Sequence, residues 1–93
     1  MIVGVMTLDL YSGSTHSLKE KRRLVSGLKE RLRRRFNAAV IESGHLDSWQ
    51  QARISLAMLA QDRKTLDQAL SHVEDFVAET YPMFSVRVER EFL

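Results

Sequence analysis

The residues best suited to chemistry are cations at helical spacing. Lys19, Arg22, Ser26, Lys29 and Arg33 recur at intervals of three and four, which places them on one stripe of an α-helix. No carboxylate lies in that stripe; Glu20 and Glu30 sit on its flank beside Arg23, Arg31 and Arg34. Ammonium and guanidinium groups at this pitch can meet successive phosphates of a nucleic acid, an attraction that does not depend on base sequence. The alternative is a solvated face that also neutralises an acidic helix packed beside it.

Other side chains bear on catalysis and metal binding. Lys21 falls inside the apolar arc of the same helix. It is expected to reach past the helix start into water, or to pair with a carboxylate on the sheet such as Asp9 or Glu91. A buried lysine of lowered pKa is also a candidate catalytic base. The three histidines, His16, His45 and His72, do not converge. His45 with Asp47 makes half a metal site, and two ligands without a third leave a plain loop as the expected reading. There is no glycine-rich phosphate loop and no nucleophile elbow. The expectation is therefore a protein without catalytic residues, metal or cofactor. Trp49 is expected to pack, with base stacking as the alternative.

Charge is strongly polarised along the chain. Lys19 to Arg35 holds nine basic and two acidic residues, a net of +7, whereas the remainder holds five basic and ten acidic, a net of −5. The overall +2 conceals this. The 93 residues, 44% of them hydrophobic, suit one domain spanning 1–93 with a modest core. Absence of cysteine excludes disulfides and thiolate metal sites. The opening MIVGVMTLDLY has neither a basic leader nor an apolar run long enough to span a membrane, so a soluble cytoplasmic protein is expected.

Periodicity supplies the elements that position these groups. Residues 2–10 alternate, with Ile2, Gly4, Met6, Leu8 and Leu10 on one face of a strand. Ser17-Leu18-Lys19-Glu20 has the capping-box pattern and opens a helix to Phe36, with Leu18, Leu24, Val25, Leu28, Leu32 and Phe36 in an apolar arc. A second strand covers 38–42, a hairpin loop 44–48, and a third strand 51–60. Asp62 or Thr65 caps a second helix over 64–81, whose outer side is acidic and which Pro82 ends. A last strand covers 83–92. The order βαββαβ predicts an α+β, ferredoxin-like sandwich: a four-stranded antiparallel sheet with both helices on one face.

The other face of that sheet would carry Val3, Val5, Thr7, Ser55, Ala57 and Leu59. None is aromatic, which argues against an RNA-recognition motif, where aromatics on the first and third strands stack bases. A small apolar face suits covering by a second copy or by the chain's end, so a homodimer through the outer sheet face is the competing expectation.

Met1-Ile2-Val3-Gly4-Val5, Ser17-Leu18-Lys19-Glu20-Lys21-Arg22-Arg23, Arg34-Arg35-Phe36-Asn37 and Trp49-Gln50 together resemble the YlxP-like family of small bacterial proteins. The glycine, His45, Asp47 and Trp49 also resemble its hairpin pattern, with Gly44 standing where an acidic residue is more usual. The resemblance implies a ferredoxin-like fold and a gene lying among translation genes. That favours RNA or the ribosome as partner. The charge pattern itself names the expected contacts: Lys19, Arg22, Lys29 and Arg33 along phosphates, with Arg23, Arg34 and Arg35 assisting. The resemblance supplies no catalytic residue.

Overall fold

The computed structural model covers all 93 residues. Six elements follow in the order β1 (Ile2–Tyr11), α1 (Leu18–Phe36), β2 (Ala39–Gly44), β3 (Gln51–Ala60), α2 (Arg63–Thr80) and β4 (Ser85–Phe92). The strands form one antiparallel sheet in the order β2-β3-β1-β4, the ferredoxin-like arrangement expected.

Strand alternation decides what the sheet shows to each side. Met6, Leu8 and Leu10 of β1, Val40 of β2, and Ala52, Ile54 and Leu56 of β3 face the helices and are buried. Val25, Leu28 and Leu32 of α1 and Leu66, Leu70, Val73 and Val77 of α2 close over them. Each such large side chain, fully buried, contributes about 1.5–3 kcal/mol. Gly4 sets how closely α2 can approach. A Cβ there would lie 2.8 Å from Leu66 Cδ2, so a side chain would push α2 off β1.

The helix ends are chemically specified. Ser17 Oγ accepts the Glu20 N–H at 3.1 Å, while Glu20 Oε2 accepts the His16 N–H at 3.3 Å. Asn37, left-handed at φ 50°, caps the C-terminus of α1. Of the two expected caps for α2, Asp62 is the one used: its Oδ1 accepts the Thr65 N–H at 2.8 Å. That hydrogen bond, followed by one from the Thr65 hydroxyl, holds the Asp62 carboxyl below its ordinary pKa.

Element boundaries differ slightly from expectation. β2 runs on to Gly44 because a bulge between Glu42 and Gly44 keeps it paired with β3. β4 starts at Ser85, after a turn at Pro82 and Met83.

Candidate nucleic-acid interface

The basic residues of α1 divide by direction. Lys21, Val25, Leu28 and Leu32 point inward. One flank leans toward β2, where Arg33 Nη2 donates to the Val40 carbonyl at 2.8 Å. The other leans toward α2, where Arg31 donates to the Tyr81 hydroxyl and Arg35 lies 5.0 Å from the Phe76 ring centroid. Between them runs the solvent arc.

The expected site residues meet three fates. Lys19, Arg22 and Arg23 are exposed and Lys29 half-buried, and none makes a side-chain hydrogen bond or ion pair within the chain. Arg33 and Arg34 are exposed but share Glu30, at 3.5 and 3.2 Å. The stripe is therefore not free of carboxylates at its C-terminal end: one turn of helix brings Glu30 to both guanidiniums. Arg35 has no carboxylate and stands over Phe36 and Phe76.

Lys21 corrects an expectation. It is 1% exposed and does not reach water. Its Nζ donates to Glu42 Oε2 at 3.1 Å and to the His45 carbonyl at 3.0 Å. Asp9 and Glu91 are not its partners, because strand parity puts both on the open side of the sheet; Asp9 instead pairs with Arg53 at 2.7 Å. Glu42 shares the helix-facing side with Val40. The lysine thus ties α1 to the β2–β3 hairpin, where His45 adopts φ 59°.

Trp49 is a second correction. It sits in the bend before β3, not on the strand's packed side, and keeps 51% of its surface exposed. The histidines stay apart, and no group of three or more His, Asp or Glu side chains is placed to hold a metal ion.

Sequence reasoning missed Arg90. It occupies a helix-facing position of β4 and reaches α2, meeting Asp67, Ser71 and Glu74. Burial alone would lower its pKa, but the hydrogen bonds of Glu74 and Asp67 raise it above the ordinary value. Its even register beside Val86, Val88 and Phe92 was the available signal.

The open face is apolar at one end. Ile41 and Leu59 are 60% and 63% exposed; Ile41 borders a depression of about 220 Å³ lined also by Val5, Ala39, Ser55, Leu56 and Ala57, and Leu59 borders a neighbouring one with Ala39 and Ala57. The other end is polar, with Tyr11, His45, Arg53 and Arg87 around about 400 Å³. No helix is long and apolar enough to cross a membrane.

Fold and surface together define a small ferredoxin-like sandwich with one basic helix. The chain belongs to the family described as protein of unknown function DUF503, whose profile matches residues 3–90. It is 28% identical over 74 residues to the uncharacterized protein YlxP of Bacillus subtilis (strain 168), covering 80% of this chain and 79% of that one. Two solved structures share the fold. The de novo designed protein Foldit4 superposes with a TM-score of 0.59 at 14% identity, over 98% of this chain and 97% of its own. A dimeric ferredoxin-like protein from an uncultured marine organism gives 0.54 at 12% identity, over 98% and 92%.

Proposed function

We propose that this is a non-enzymatic, cytoplasmic RNA- or ribosome-associated protein that holds phosphates along the solvent arc of α1. Lys19, Arg22, Arg23 and Lys29 make the principal contacts, with Arg33, Arg34 and Arg35 at the helix end. One observation carries the reading: those first four cations have no counter-charge within the chain, although the rest of the molecule is acidic. Ordinary solvated faces mix signs. The test is binding to ribosomal subunits and to a structured RNA across a salt series. Neutralising about four phosphates gives a slope of log affinity on log salt of about −3. Replacing Arg22 and Lys29 together with Gln lowers affinity for all RNA sequences alike; unchanged binding in that variant overturns the reading.

A second reading, a module that self-associates through its open sheet face, rests on Ile41 and Leu59, which are exposed on that face with the small apolar Ala39 and Ala57 between them. Four strands about 4.8 Å apart and about eight residues long at about 3.3 Å per residue present about 500 Å² per copy. That is the low end for a specific interface, so the dimer would be weak. The marine ferredoxin-like protein is described as dimeric, which is compatible with this arrangement. Sedimentation at high concentration tests it: Leu59→Glu shifts a dimer to monomer, and a strictly monomeric wild-type profile ends the reading.

A further inference from the structure

The groove between the C-terminal halves of α1 and α2 holds cations of a different kind. Arg31 and Arg35 are one turn apart on α1 and face aromatic rings of the α2 side. Arg31 lies 5.6 Å from the Tyr81 centroid and Arg35 lies 5.0 Å from that of Phe76. Phe76 is itself held edge-on by Phe36, with centroids 5.7 Å apart. Neither arginine makes an ion pair within the chain.

This arrangement orients guanidinium groups without using up their donors. Attraction to a ring acts through the face of the cation and the ring quadrupole, while the five N–H groups of an arginine form a fork in its own plane. Arg31 gives one N–H to Tyr81, and Arg35 gives none to any side chain or carbonyl. Such pre-oriented forks suit bidentate binding of phosphate. With Arg34, Phe76 and Thr80 they line a cleft of about 570 Å³, inside the range of about 300–1,000 Å³ typical of small-ligand sites. Asp75 and Glu79 flank the adjoining depression on α2, so a polyanion cannot continue across that helix.

We infer that this cleft is a subsite for one unpaired nucleotide of RNA. Its phosphate lies on the fork of Arg31, with Arg34 beside it still paired to Glu30, and its base stacks on Arg35 and Phe76. The inference rests on the reading of α1 as an RNA-binding surface and adds which RNA it prefers. A base inside a duplex is turned away from the protein and cannot enter a cleft, whereas an unstacked base can be taken up by an aromatic ring or a guanidinium plane. Every base has a π-face, so the subsite tolerates sequence.

The experiment compares a short single-stranded oligoribonucleotide with the duplex of the same sequence, each titrated into wild type and into the Arg31→Lys/Arg35→Lys double variant. Lysine keeps the charge and loses the planar fork. The wild type should favour the single strand by about tenfold. The double variant should bring the ratio close to one by lowering single-strand affinity far more than duplex affinity, for which the retained charge at the helix end suffices. A second variant, Phe76→Leu, should lower the same ratio while both variants keep the wild-type circular dichroism spectrum. Duplex and single strand binding equally to wild type overturns the subsite and leaves the basic arc standing, as does a ratio that survives both variants. Binding of neither RNA overturns the basic arc and the subsite together.

Discussion

Two sets of basic residues in this chain have opposite circumstances. Lys21 and Arg90 are drawn into the structure and arrive with carboxylates: Glu42 for the first, Asp67 and Glu74 for the second. Lys19, Arg22, Arg23 and Lys29 lie on the same helix as Lys21, or beside it in sequence, and have none. The difference follows from the dielectric surroundings. A charge removed from water must be paired or it destabilises the fold. A charge left in water needs no partner, but a row of like charges repels itself and favours a state in which an anion lies along it. The fold therefore supplies carboxylates to the cations it buries, Lys21 and Arg90, and leaves Lys19, Arg22, Arg23 and Lys29 of α1 to be neutralised from outside.

The sharpest way to break that comparison is to remove Lys21. Lys21→Ala leaves Glu42 and the His45 carbonyl without their ammonium, in a place where the lysine itself was 1% exposed. The expected loss is about 3 kcal/mol, the low end for breaking a buried pair because Glu42 keeps some contact with water. In a domain this small that lowers Tm by about 12 °C or more. Replacing both partners, Lys21→Met with Glu42→Leu, should recover most of the loss, since an apolar pair of similar volume carries no desolvation cost. A thermal melt of the two variants decides it; equal destabilisation in both would mean that the lysine acts through packing alone.

Arg90→Ala comes next. It strips Asp67 and Glu74 of their cation, but both carboxylates stay partly in water, so about 1–2 kcal/mol is expected by urea denaturation. A loss as large as that for Lys21 would show that partial exposure does not soften such a pair.

How much of this could be read beforehand depended on sequence distance. The helix of Lys19 to Arg35, its Ser17 cap and its inward arc follow from local periodicity, and the structure has them all. The inward direction of Lys21 was equally visible. Its partner was not, because which face Glu42 occupies depends on where β2 begins and on the bulge that follows. Asp9 and Glu91 have the opposite strand parity and so face the open side of the sheet. Arg31 reads as one more cation on a helix flank; its Tyr81 contact spans 50 residues of sequence and is created by the packing of α1 on α2. Trp49 failed for a related reason: apolar character predicts burial on average, but a residue in a bend just before a strand has no assigned face.

Asp62 offers a carboxylate whose partner is backbone instead of a cation. Its pKa is depressed by the Thr65 N–H, so the stabilisation is fully present above the unfolded value near 3.9 and is lost as pH falls through the lower folded value. Asn at this position accepts the same hydrogen bond without titrating. Comparing Tm against pH for wild type and Asp62→Asn, the gap should move in favour of Asn only below about pH 4. A gap that moves between pH 5 and 7 would point to some other group.

The smallest effect on stability is expected where the proposed function is most concentrated. Arg22→Gln/Lys29→Gln removes two charges that hold nothing in place, so the unfolding free energy should change by no more than about 0.5 kcal/mol. The direction is also informative. Arg22 has Lys19 three residues before it and Lys29 has Arg33 four residues after it along α1, and such like-charged neighbours cost a few tenths of a kcal/mol at low salt. Their removal should leave the protein as stable as before or slightly more so, and added salt should erase the difference. A clear loss of stability would mean that these cations have partners in the fold after all, and the contrast with Lys21 would disappear. Unchanged stability together with weakened RNA binding separates the two sets of basic residues: Lys21 and Arg90 hold the structure, and the outer arc serves a ligand.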